Sequence, residues 1–80
     1  MGKHKWDLLY YIFDTEVNSF DVAVDFHVTP NVASIRLLRA FNQGWLQRRK
    51  FEGIYYYRLS RKAWDFWYKF GTFTQHQFYR

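Results

Sequence analysis

The chain has 80 residues, no cysteine and a formal net charge of +5. That length holds one domain with a thin stability margin, which makes self-association a reasonable expectation. The missing cysteines exclude disulfides, thiolate metal sites and thiol redox sensing and fit an intracellular protein, while an aromatic content of 25% exceeds what so small a core needs, so some rings should cover a partner or lie on the surface.

From the N-terminus, Met1-Gly2-Lys3-His4-Lys5 leads into an amphipathic pattern and not an apolar run, so no secretory leader is expected. No segment has the length and apolarity of a membrane span. Trp6, Leu9, Tyr10, Phe13 and Val17 recur on one helical face, which predicts a first helix over about Lys5 to Glu16. Leu8, Ile12 and Tyr11 form a second apolar strip. A helix apolar on most of its circumference packs on two sides. One side should meet the next helices. The other meets the C-terminal helix, a second subunit, or simply the core.

Asn18-Ser19 breaks that pattern, and Val17 to Ser19 could form a very short strand. Ser19 is the expected N-cap of a second helix, with Asp21 suited to its first-turn dipole. Val22, Ala23 and Phe26 are its inner face. His27-Val28-Thr29 is a tight break. Thr29 is a good N-cap and Pro30 suits the first helical position, where its missing N–H costs nothing. Ala33, Leu37, Ala40 and Phe41 then recur at the spacing of one buried helix face, and Gly44 stops the helix. Two helices across a tight turn are the layout of a helix-turn-helix, whose second helix can lie in the DNA major groove.

The charge divides at this turn. From Met1 to Val28 two lysines face five acids, a net of −3; from Thr29 to Arg80 ten basic residues face Glu52 and Asp65, a net of +8. So one-sided a field attracts polyanions. An ordinary basic protein is the plainer alternative. The outward face of the helix falls on Asn31, Ile35, Leu38 and Arg39, flanked by Val32, Ser34 and Arg36. Asn31, Ser34 and Ile35 are the candidates for base edges, and Arg36 and Arg39 can reach guanine or phosphate. A solvated helix with two arginines is the alternative, but it leaves Ile35 and Leu38 in water. Burial against a protein partner would explain them equally well.

Trp45 to Phe51 and Ile54 to Leu59 read as two strands around Glu52-Gly53. Tyr55, Tyr57 and Leu59 should share one face, Tyr56 and Arg58 the other. Arg48, Arg49 and Lys50 are expected at the tip of this hairpin, where they could neutralise phosphates, or only keep an edge strand soluble. Ser60 caps a last helix over about Arg61 to Phe70, with Ala63, Trp64, Trp67 and Phe70 on its main face and Gly71 as its stop. Leu8, Ile12, Trp64, Trp67 and Phe70 are the candidates for a two-fold dimer interface. Residues 72–80 form an aromatic C-terminal tail without a clear period.

From Ser19 to Ala63 the chain resembles the DNA-binding core of winged helix-turn-helix transcription regulators of the MarR and ArsR kind. Gly44-Trp45-Leu46 looks like the segment that ends the recognition helix and opens the wing in those families. Tyr56-Tyr57-Arg58-Leu59-Ser60 looks like the segment that closes the wing and caps the next helix. One departure stands at His27, where these families usually carry Gly; if the backbone there needs a positive φ, His bears strain that Gly would not. The resemblance implies a mainly α fold with a small β-hairpin, in the order α-(β)-α-α-β-β-α, with residues 1–71 as the domain. It also implies a sequence-specific regulator, acting as a repressor and dimer on double-stranded DNA. Thr29, Asn31, Ser34, Ile35, Arg36, Arg39, Arg48, Arg49 and Lys50 would carry the DNA contact.

The sequence holds no glycine-rich phosphate loop, no paired metal-binding histidines and no nucleophile elbow. No enzyme activity, cofactor, metal or small-molecule effector is therefore expected, and the expected location is the cytoplasm, at the nucleoid. Two other readings fit the same residues. One is an architectural DNA-binding accessory without sequence preference. The other is a protein-interaction module on the same fold.

Overall fold

The computed structural model describes residues 5–71, with four helices and one hairpin in the order α1 Lys5–Ile12, α2 Ser19–Phe26, α3 Pro30–Asn42, β1 Leu46–Phe51, β2 Ile54–Leu59 and α4 Arg61–Phe70. The described residues are mainly helical with one small antiparallel two-stranded sheet, the expected mainly α composition with a β-hairpin. The tail expected over 72–80 and the side chain of Trp6 lie outside the described residues.

α1 is shorter than its apolar pattern predicts and ends at Ile12, not near Glu16. The Phe13 amide donates to Tyr10 O (3.2 Å) and the Thr15 amide to Ile12 O (2.9 Å), which closes tight turns. The backbone must leave the helix here because Val17 pairs with β2: its amide donates to Tyr57 O (2.9 Å) and accepts, through its carbonyl, from Tyr57 N (2.7 Å). The expected short strand is this single bridge. The inner face of α1 also differs from expectation. Leu8, Leu9 and Ile12 are buried, whereas Tyr10 is exposed. At about 100° per residue these three span one arc of roughly 100° centred near Ile12, with Tyr11 and Phe13 at its flanks.

Asn18, not Ser19, caps α2. Its Oδ1 accepts from Asp21 N (2.9 Å) while Asp21 Oδ2 accepts from Asn18 N (3.0 Å), so each side chain satisfies the other's free amide. α2 ends at His27, whose φ of 57° and ψ of 44° are left-handed. The condition posed for this position is met: φ is positive, on a residue whose Cβ makes it costly. Thr29 caps α3 by accepting from Val32 N (3.2 Å), and Pro30 follows at the first position.

Val22, Ala23 and Phe26 of α2 are buried against the α3 face made by Ala33, Leu37 and Ala40. Three of these residues are alanines, whose small side chains permit a close crossing. After Asn42 the chain reverses: Gly44 N donates to Phe41 O (2.9 Å) and Trp45 N to Ala40 O (3.0 Å), with Gly44 at φ 89°. Lys62 Nζ adds a hydrogen bond to Gln43 O (2.9 Å), placing a cation at the negative end of α3.

The hairpin runs in register from Leu46↔Leu59 to Phe51↔Ile54. Glu52 and Gly53 have φ of 50° and 82°, the two positive values that a two-residue I′ turn requires. Leu46, Tyr57 and Leu59 close the core from this side. Ser60 both caps α4, accepting from Ala63 N (3.3 Å), and donates to Gly44 O, so one hydroxyl ties the end of α3 to the start of α4. Among the described residues no polar or charged residue is buried.

Ala63 is the deepest residue of α4, while Trp64 and Trp67 pack on Phe13 with ring centroids 4.8 and 4.9 Å away. Of the residues expected at a dimer contact, Leu8 and Ile12 are 1% and 0% exposed, because the protomer's own core uses them. They cannot meet a second subunit without unfolding α1. Phe70, in contrast, is 46% exposed. Among the described residues no helix is long and apolar enough to cross a membrane.

Candidate nucleic-acid interface

α3 is held against the core by its small and aliphatic residues, which leaves a broad opposite face open. Asn31, Val32, Ser34, Ile35, Leu38 and Arg39 are all exposed on it; Arg36 is half-buried at the flank. Thr29 is exposed too, but its hydroxyl is engaged in capping α3. Ser34 looks towards the hairpin across a cleft of about 220 Å³, bordered by Ser19, Phe20, Gly53, Ile54, Tyr55 and Tyr57. α3 also packs against β1, but the basic residues of that strand are not placed as expected.

Arg48, Arg49 and Lys50 do not act as one basic tip. They sit within β1, and strand alternation sends Arg48 and Lys50 to the side of Tyr55 and Tyr57, and Arg49 to the other. The Arg48 guanidinium lies between two rings, 4.4 Å from the Phe41 centroid and 4.2 Å from that of Tyr55. It also donates to the Tyr57 hydroxyl at 3.4 Å. α3 and the hairpin are therefore joined by an aromatic–cation–aromatic stack. Lys50 Nζ lies 5.4 Å from the Tyr55 ring and its side chain is exposed on the same face.

Arg49 instead grips Glu16, with Nε to Oε2 at 2.9 Å and Nη2 to Oε1 at 2.7 Å. The bidentate hydrogen bonds from Arg49 hold the Glu16 carboxyl below its ordinary range and push the guanidinium's pKa up. The Arg49 charge is thus matched by an acid and faces away from α3. The tip itself carries Glu52 and the exposed Phe51.

Away from this surface, the Tyr11 hydroxyl donates to the Asp25 carboxylate. Burial first, and that hydrogen bond second, push the Tyr11 pKa up to about 12. The contact fixes α1 on α2. Sequence reading missed Phe20 and Val24, which are 56% and 72% exposed on α2. Their signal was present, since they are four residues apart and opposite the inner face of that helix. The Phe41–Arg48–Tyr55 stack had no local signal, because its members come from three elements.

The arrangement offers cations and aliphatic groups on one face. Among the described residues no group of His, Asp or Glu could hold a metal ion. No protein-family model, curated protein or solved structure matches the chain.

Proposed function

We propose that the chain is a winged helix-turn-helix protein that binds double-stranded DNA by sequence and regulates transcription as a repressor. One observation carries this reading: Arg48, held between Phe41 of α3 and Tyr55 of β2, fixes the hairpin against the helix that carries the open face. In this reading α3 enters the major groove with Asn31, Ser34 and Ile35 leading. Arg36, Arg39 and Lys50 neutralise phosphates beside it, and Arg48 sets the angle of the wing. Arg49 is left out of the contact. A second protomer joins through α4, where Tyr68 and Phe70 are 82% and 46% exposed. The two protomers would then span a two-fold site. Repression rests on analogy with the resembled regulators.

Binding to a random-sequence duplex, titrated at several salt concentrations, tests the reading. A dimer making about six to ten phosphate contacts loses roughly three to five orders of magnitude in affinity over about a fourfold rise in salt. A regulator also prefers its own site about a thousandfold or more over random duplex. Steep salt dependence with no preferred site would favour an architectural DNA-binding role. The exposed Phe20, Val24, Ile35 and Leu38 favour a second reading, a protein-interaction module. Absence of duplex binding at every salt concentration would support it.

A further inference from the structure

We infer that the outward face of α3 is built for an A·T-rich duplex and reads it through thymine methyl groups. This rests on the double-strand reading above and narrows it to a class of sequence. Val32, Ile35 and Leu38 recur every three residues and are 38%, 44% and 42% exposed. With a rise of about 1.5 Å per residue they make one slanted row roughly 9 Å long. Base pairs follow one another at about 3.4 Å, so the row spans two to three steps.

The cations gather at the flank and the C-terminal end of this row. Arg36 is half-buried at its flank and Arg39 follows Leu38 on α3, while Arg48 and Lys50 lie on the neighbouring hairpin face. The matching ligand is a polyanion that also presents apolar groups to the helix. In the major groove the C5 methyl of thymine is the apolar feature that distinguishes the base pairs. An acidic amphipathic peptide has the same two properties; the duplex is favoured because the amide of Asn31 in the first turn matches the adenine edge.

The leading half of the helix makes the second case. In this docking geometry the N-terminal residues of the inserted helix meet the base edges. Pro30 to Ile35 contains no lysine or arginine. Arginine or lysine on guanine O6 and N7 is the commonest specific contact, and here that reader is missing where it would reach deepest. Asn31 supplies the side chain that pairs with adenine N6 and N7. The inserted turns therefore carry an adenine reader and methyl contacts, and the first cation after them, Arg36, is half-buried at the flank of the helix.

The experiment is an in vitro selection of random duplex DNA with the full chain, followed by uracil-for-thymine replacement at each position of the tightest duplex. Uracil deletes the methyl group and leaves the hydrogen-bonding edge intact. The selected core should be A·T-rich, and loss of one methyl should weaken binding about fourfold at two or three positions. Ile35→Ala, at an exposed position that leaves the fold intact, should remove the uracil effect at one of them. A G·C-rich core, or an A·T-rich core indifferent to uracil in the unaltered chain, overturns the inference while the double-strand reading stands. Failure to bind any duplex overturns both, and gain of binding to an acidic peptide in its place would assign the row to a protein partner.

Discussion

Arg49 and Glu16, 33 residues apart, join the hairpin to the α1–α2 connection through two charge-assisted hydrogen bonds of 2.9 and 2.7 Å. The pair sits beside the Val17–Tyr57 bridge, so it reinforces the meeting of the segment before α2 with the hairpin. Glu16 has its folded-state pKa depressed by Arg49. A depressed carboxylate contributes stability above its unfolded pKa and loses it as pH falls through the folded value. Urea midpoints should therefore fall from neutral to acidic pH, and Glu16→Gln should remove that part of the slope. The effect is small because both groups meet solvent. Equal pH slopes in the two proteins would show that the pair contributes nothing to folding.

Arg48 should matter more than its neighbour. Its guanidinium sits between Phe41 and Tyr55, and a lysine cannot stack in the same planar way. Arg48→Ala should cost about 1–2 kcal/mol of unfolding free energy. Arg48→Lys should recover only part of it, as measured by urea denaturation. For duplex binding, Arg49→Ala should leave the salt slope unchanged, while Lys50→Ala should reduce it by about 0.9 for each lost phosphate contact. The reverse order would place Arg49, and not Lys50, on the DNA.

His27 holds a left-handed conformation at φ 57° at the end of α2. His27→Gly should relieve strain and stabilise the chain by about 1 kcal/mol. A rise in the thermal midpoint, with duplex affinity unchanged, is the expected result. A fall would mean that the imidazole makes a contact worth more than the strain.

The exposed end of α4 bears on assembly. Phe70→Asp and Tyr68→Asp, made together, should convert a dimeric mass to a monomeric one in sedimentation at micromolar concentration, with the circular dichroism unchanged. A monomeric mass for the unaltered chain under the same conditions would remove α4 as an interface. Leu8→Ala, by contrast, should act on folding itself, at about 2–5 kcal/mol for a buried leucine.

Local chemistry determined much of this protein. Thr29, Pro30 and Ser60 mark helix starts by satisfying or omitting free amides, and Gly44 and Gly71 supply positive φ at helix ends. Glu52-Gly53 sets the hairpin register through its turn type. Periodicity placed the inner faces of α2 and α3, because a helix of fixed pitch must bury residues three and four apart. All of these depend on residues close in the chain.

The tertiary structure decided the rest. The pull of Tyr57 on Val17 ended α1 early, and the core took Leu8 and Ile12, residues that periodicity alone could equally have given to a partner. Alternation along β1 separated Arg49 from Arg48 and Lys50, and Glu16 then neutralised it. Such outcomes depend on which charges and rings meet across long sequence separations. A linear pattern of residue types gives the number of cations near a hairpin, but only the packed chain fixes which of them remain available to a ligand.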